Sequence, residues 1–542
     1  MTMSFFIYGG VLMKKGITIL LCLFLAGTVL FVSCQRRTGA AGTAMEMVIM
    51  NGTEPQSLDP SQVTGVPEHR INLALFEGLV GYDPRTAKAV PGVAESWSLS
   101  NNDTVITFRL RQDAVWSDGT PITAQTFVDS WLHHLNPDTA SEYAYLIGMI
   151  VKGADEYNIG EGRPQDVAIR AVDNRNFEVT MLGPAAYALD LIAHYAFNPL
   201  PMHVIQRLGS AWTRPGNFVG NGPFVLQEHI PNSRIVVVPN DRYWNKANVY
   251  LTKITFDATE DDNTIYQAYI NGEADWSTAI PLTRIDEIKL RADFQSSPQF
   301  ATYYFLINNQ DHAPLRDARV RKALSMAINR QEIVDNILRG GQIPATALVP
   351  PMAGYDPTPG NGFNLEEARR LLADAGYPNG AGLPAFEIVY NSGVEGHRII
   401  SEYLQQTWRN NLGINTNLQN MEWASYLDYR DTPSMQIARA GWVADYMDPQ
   451  NFLELLISNT GNNDGKYSDA EFDRLVAQAA AMPDGPERMR LMRQAEDIAI
   501  TRDQGLIPLY FYVNQDLIDL TKWEGWYPNP MGTHPYVGMR RR

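Results

Sequence analysis

The chain has 542 residues, with 44 Lys plus Arg against 60 Asp plus Glu and a formal net charge of −16. So acidic a balance argues against nucleic acid or an anionic lipid surface as the main partner. The only two cysteines, Cys22 and Cys34, fall in an apolar N-terminal stretch, which leaves the rest without a disulfide, a thiol nucleophile or a CxxC metal or redox motif.

The first predicted element is a targeting segment. Lys14 and Lys15 form a positive n-region, GITILLCLFLAGTVLFVS is the apolar run, and Cys34 follows the small residue Ser33. Residues 1–34 resemble a bacterial lipoprotein signal, with Met13 as the true start and Cys34 lipidated to become the new N-terminus. Phe31 is bulkier than the Leu that usually stands three residues before such a cysteine. A transmembrane helix is the alternative, because the run is near the lower length limit for spanning a bilayer; the placement of Cys34 favours the lipoprotein. Residues 35–44, QRRTGAAGTA, read as a flexible tether. Roughly 500 residues remain, enough for two or three lobes.

After the tether, MEMVIMNGTEPQSLDP reads as a strand followed by a turn-rich segment. The run TVITFRL alternates Val105, Thr107 and Arg109 against Ile106, Phe108 and Leu110, with a turn at Asp118-Gly119 and Thr123 as N-cap of a following helix. Asn364 precedes LEEARRLLADAGYP, with Glu367 at the capping-box position, Gly376 at the stop and Pro378 beyond it. Ser468 and Glu471 suggest a second box. The strand-like segments FEIVYN, INTNLQNMEW and LIPLYFYVN alternate with these helices, which implies α/β lobes with helix-covered sheets.

No nucleophile elbow and no HExxH zinc helix is present. GNNDGKY at 461–467 is one residue short of a phosphate-binding loop and has Tyr467 where Ser or Thr is needed, so it reads as a surface turn. DATEDDN at 257–263 lacks calcium-loop spacing and its glycine, and reads as a solvated loop. His133 and His134, adjacent on a helix, diverge and are assigned structural roles. The expectation is a protein that carries out no chemistry and holds no cofactor or metal.

RAGWVADYMDP at 439–449 sets Arg439 and Asp445 at the ends of an apolar run. Both charges could point at solvent, since side chains alternate along a strand. Residues six apart nevertheless share a face at a reach of at most roughly 20 Å, so the two charges could also grip the ends of a short extended ligand.

Three groups of segments resemble one family. NGTEPQSLDPSQVTGVPEH with LFEGLVGYD and PGVAESW is the first, and FRLRQDAVWSDGTPITAQTFVDSW is the second. PLRDARVRKALSMAINRQEIV, EWASYLDYRDTPSMQIARAGWVADYMDP and IPLYFYVN form the third. Together they resemble, over essentially all of 45–525, the oligopeptide-binding solute-binding proteins of peptide ABC importers. The resemblance implies an α/β clamp of the type II periplasmic-binding-protein kind, with two main lobes and an extra inserted one. Residues 45–78, 200–300 and 513–542 would form lobe I, 79–199 the inserted lobe II and 301–512 lobe III. Segments near FATYYFLINN and FYVNQD would be the hinge.

Carried over by the resemblance, Asp445 would receive a peptide's α-ammonium. Gly441 and Val443 would pair with its backbone on one side, and Gly65 and Val66 on the other. Arg439 would meet the carboxylate of a short peptide and His397 would serve longer ones. Tyr143, Asn391, Trp423, Arg430, Trp442 and Tyr512 would line side-chain pockets. Two positions depart from an enteric member of the family: Thr64 stands in place of a glutamate that meets basic ligand side chains, and Leu338 in place of a lysine near the ligand's C-terminus, with Arg339 adjacent as a substitute. The implied partners are short peptides, the permease subunits of an importer and, through the lipid, a membrane; the implied state is a monomer at the periplasmic or cell-surface face. Rival readings are the same clamp with another cargo (a dipeptide, murein peptide, signalling peptide, nickel complex or haem), a surface lipoprotein without a transport role, and a secreted peptidase.

Overall fold

The computed structural model describes residues 45–542 apart from Ala186 and Asn459. The predicted signal, lipidation site Cys34 and tether therefore lie outside the described residues. No helix among the described residues is long and apolar enough to cross a membrane.

Two long strands organise the chain. Phe294–Ile307 and Leu506–Ile518 run antiparallel, and their register shifts between Pro298 and Thr302. Phe300 to Ile307 are all buried, as expected of a strand covered on both faces, whereas the residues before them are largely exposed or half-buried. Tyr303, Phe305 and Ile307 enter one apolar cluster and Tyr304 and Leu306 another, so successive side chains serve opposite faces of one sheet. On one flank the pair continues into Ile437–Val443, Phe386–Asn391 and Thr416–Met421. On the other it reaches Trp276–Ser277, Glu46–Met50, Lys253–Asp257, Arg234–Pro239 and Phe224–Ile230. A single sheet of eleven strands thus passes through both halves of the molecule, and the strand pair with its shifted register is the crossing.

A separate antiparallel sheet of four strands is drawn entirely from residues 94–180: Ala94–Ser100, Val105–Leu110, Asn176–Thr180 and Ile169–Ala171, in that spatial order. Helix Ala124–Leu135 covers it, burying Phe127 and Trp131, whose rings lie 5.8 and 5.1 Å from Phe177. Thr123 caps this helix, and its N–H donates to Thr126 Oγ1 at 3.1 Å.

Helix Leu365–Asp374 starts where the sequence suggests, with Asn364 Oδ1 accepting from Glu367 N at 3.0 Å. The box at Ser468 does not form. Asp469 is the N-cap of helix Ala470–Ala480, accepting from Glu471 N at 3.0 Å and Phe472 N at 2.8 Å. A carboxylate answers the positive end of a helix better than a hydroxyl, and Ser468 bonds Ser458 instead.

Candidate functional site

The strand Ile437–Val443 has one satisfied edge and one that is mostly free. Along its whole length it pairs with Ala301–Ile307, but on the other side Phe386–Asn391 meets it only at Ile437 and Ala438. The Ala444 N–H donates to Phe300 O at 3.0 Å. Because main-chain groups alternate along a strand, those of Arg439, Gly441 and Val443 point to the free edge. The Arg439 carbonyl there accepts from the Tyr426 hydroxyl. Gly441 and Val443 keep an open hydrogen-bonding edge. A Cβ on Gly441 would come within 2.5 Å of the Tyr512 hydroxyl, which explains the glycine.

This edge lies in a cleft of about 670 Å³ whose walls come from both halves of the sheet and from Glu142, Tyr143, His194 and Tyr195. All the residues implied by the resemblance line it: Thr64, Gly65, Val66, Tyr143 and Asn391; His397, Trp423, Arg430, Arg439 and Gly441; Trp442, Val443, Asp445 and Tyr512. They do not all do what was expected of them.

Asp445, just past the end of the strand, is 9 % exposed at its side chain. Tyr143 donates to its Oδ1 at 3.3 Å, and His194 Nε2 lies 3.3 Å from the same oxygen. His194 Nδ1 accepts from Ala196 N at 3.3 Å, which leaves Nε2 as the nitrogen that donates to Asp445. Asn451, fully buried, accepts from both Asp445 N at 2.8 Å and Trp442 Nε1 at 3.0 Å. Its amide also donates to Glu454 at 2.8 Å. Burial, and secondarily Asp445 itself, raise the Glu454 carboxyl well above the usual range, against hydrogen bonds from Tyr446 and Asn451 that lower it. Among the described residues no Lys or Arg stands within ion-pair distance of Asp445. Its partners are a phenol, an imidazole and an amide.

Arg439 mirrors this at the other end. Its guanidinium donates to Tyr512 Oη at 2.9 Å and Asn391 Oδ1 at 3.3 Å and lies 4.9 Å from the centre of the Tyr303 ring. Its buried Nε has no partner, and no carboxylate is paired with it among the described residues. His397 stands beside it. Burial, and then Arg439, hold that imidazole well below its ordinary pKa, so it is neutral and shares a 3.2 Å hydrogen bond with the Tyr303 hydroxyl. A charged pairing between His397 and a ligand carboxylate is therefore disfavoured.

Arg430 lines the cleft with its charge already matched: Nε donates to Asp464 at 2.7 Å, and a second nitrogen bonds the same oxygen. Asp464 belongs to the 461–467 segment expected to be a surface turn. That expectation is corrected, because Asn463, Asp464 and Tyr467 are buried and Gly461, Asn462 and Asp464 line the cleft. The 257–263 segment is corrected likewise. Glu260 and Asp262 face the cleft, and Asp262 is buried, its carboxyl pushed up to about 7 by burial and then by the charges of Asp261 and Glu395. Arg339 does not take the place of the lysine; it bonds Asp286 and the Leu282 carbonyl, and Leu338 is the residue that reaches the cleft. Sequence reasoning missed His194 and Asn451, neither of which sits in a motif. Among the described residues no cluster of His, Cys, Asp and Glu fit for a metal is found.

A cleft between two α/β halves joined by crossing strands, with a free strand edge and a charge near each end of it, has the form of a solute-binding clamp. Residues 88–464 match the model of the bacterial extracellular solute-binding proteins, family 5, and the chain belongs to that family. It is 36 % identical over 493 residues to the periplasmic oligopeptide-binding protein OppA of Salmonella typhimurium, covering 89 % of each chain. The crystal structure of a Borrelia burgdorferi periplasmic oligopeptide-binding protein aligns with a TM-score of 0.88 at 34 % identity, over 92 % of this chain and 100 % of that one. The murein tripeptide-binding protein MppA of Escherichia coli aligns at 0.87 and 33 % identity, over 92 % and 99 %. The fold is thus of the type II periplasmic-binding-protein kind. Against the unliganded open form of MppA the TM-score falls to 0.65 over the same share of this chain, so the halves here stand nearer a closed arrangement.

Proposed function

We propose that the protein captures short peptides bearing a free N-terminus and delivers them to the permease of an ABC importer. The observation that carries this reading is the pair of unmatched charges, Asp445 and Arg439, at the two ends of a vacant strand edge inside the cleft. An α-ammonium complements the first and the carboxylate of a short peptide the second. Gly441 and Val443 hydrogen-bond the backbone between them, which favours peptides without choosing among sequences. Charge-assisted bonds of this kind strengthen as closure removes water. The cleft is lined by eight Asp and Glu and three Arg, an excess of carboxylates that favours basic side chains on the cargo.

In this reading residues 45–78, 200–300 and 513–542 form one lobe, 301–512 the lobe that closes on it, and 79–199 an insertion. The protein is exported and monomeric, held at the membrane by a lipid on Cys34, and no reaction occurs in it. Relatives whose names describe periplasmic oligopeptide- and murein-peptide-binding proteins support it.

The test is calorimetric titration of protein freed of co-purified ligand with tri- to pentapeptide pools, alongside the same pools N-acetylated. Binding of the free pools that acetylation abolishes, stronger for Lys-containing members, is the expected result. Equal heat from both pools would remove the role given to Asp445, and no heat from either would redirect the search to cargo other than peptides.

A further inference from the structure

A second cavity, of about 230 Å³, borders helix Val66–Leu75 beside the peptide cleft and shares only His69, Leu73 and Tyr195 with it. Aromatic rings wall it: Phe76, Tyr195, Tyr243, Trp244 and Tyr536. Its lining contains no Lys, Arg or Asp, and a single Glu, Glu77. Glu77 accepts from the Tyr243 hydroxyl at 2.5 Å and from Trp244 Nε1 at 2.6 Å, and no cation stands within ion-pair distance of it among the described residues. Burial lifts its carboxyl to about 7.

Three further polar atoms in this lining are buried without a partner: Asn72 Oδ1, the Tyr82 hydroxyl and His69 Nε2, with Asn72 and Tyr82 only 3 and 7 % exposed. An orphaned buried polar atom costs about 1–3 kcal/mol, so three around one void call for a guest. His69 does not supply the missing cation, because burial, and then His194, press its pKa down to about 3. Gly81 also borders the void, and a Cβ there would meet nothing within 4 Å.

We propose that this cavity is a second binding site, which takes a small primary amine with an aromatic or apolar body, its ammonium donating to the Glu77 carboxylate and the Asn72 amide oxygen. The chemistry selects this class. An anion would meet a carboxylate in the lining, and the nearest cation, Arg111, is engaged outside it, stacked 3.5 Å from the centre of the Trp244 ring. An ammonium finds acceptors in Glu77 and Asn72 and, apart from the Trp244 face that Arg111 covers, ring faces that attract positive charge. At about a third of the cleft's volume, the site suits a single ring with a short arm rather than a peptide.

Benzylamine is the probe. It is titrated calorimetrically into the purified protein saturated with a peptide pool and, separately, into the Asp445→Ala variant, so that binding at the cleft anchor is not mistaken for binding here. Saturable binding of one equivalent is expected in both, weakened at least about tenfold by Glu77→Gln and abolished by Gly81→Phe, which fills the void without touching the cleft. Benzyl alcohol should bind at least about tenfold more weakly than the amine. Asn72→Leu is the second blocking variant should Gly81→Phe not fold, as judged by near-ultraviolet circular dichroism. No saturable heat at millimolar benzylamine, loss of binding in Asp445→Ala, or binding that survives a folded blocking variant would each overturn the proposal.

Discussion

Asp445 and Asp448 stand three residues apart and use their charges in opposite ways. Asp448 accepts two bonds from Arg488, at 2.6 and 2.8 Å, in a pair whose side chains are 7 and 0 % exposed. Asp445 has no Lys or Arg about it among the described residues, only a phenol, an imidazole and an amide. The same contrast separates Arg430, matched by Asp464, from Arg439, which has phenols and an amide. A matched buried pair fastens the lobe to itself. An unmatched buried charge, kept tolerable by hydrogen bonds, is open to a partner from outside.

The sharpest way to break the comparison is to treat the matched pair as if it were a binding group. Arg488→Ala should lower stability by about 3–5 kcal/mol in denaturant unfolding, because it strands Asp448 in the interior, while the folded fraction keeps its peptide affinity. Asp445→Asn should do the reverse, weakening peptide binding by about 2–5 kcal/mol in calorimetry with little change in the unfolding midpoint; a loss of stability as large as that of Arg488→Ala would erase the distinction. Gly441→Ala tests the edge between the two unmatched charges. Its methyl meets the Tyr512 hydroxyl, and overpacking of about 1–3 kcal/mol should appear as lost affinity as Tyr512 moves off Arg439.

Asp262 supplies a pH signature. Its folded-state pKa is raised to about 7, so the protein is relatively stabilised below the ordinary carboxylate pKa near 4 and loses that stability as pH climbs to about 7. Asp262→Asn should therefore add up to about 4 kcal/mol at pH 8, add nothing at pH 3, and flatten the slope between, as read from urea unfolding at each pH.

Much of the scaffold was legible locally. Asn364 and Thr123 announce helix starts through side chains that reach only three residues, and FEIVYN, INTNLQNMEW and LIPLYFYVN announce strands that the sheet contains. RAGWVADY raises the possibility of a grip on a ligand by setting Arg439 in a strand and Asp445 just past its end, and the other cleft residues come only from the family resemblance. What was not legible depends on partners far away in the chain. GNNDGKY and DATEDDN are as polar as solvated loops, and only Arg430, 34 residues before Asp464, or the packing about Asp262 turns them inward. His194 reaches Asp445 across 251 positions, and nothing beside it in the sequence marks that meeting. Ser468 misled for a simpler reason, since its neighbour Asp469 is the stronger acceptor at a helix start.

The unpaired edge from Gly441 to Val443 has a meaning for the protein's own survival. A row of free main-chain donors and acceptors is the surface on which chains template one another into fibrils. Here it lies inside a cleft that Tyr143 and His194 also line. The cleft walls then double as a guard that admits a single narrow chain and keeps broader sheets out.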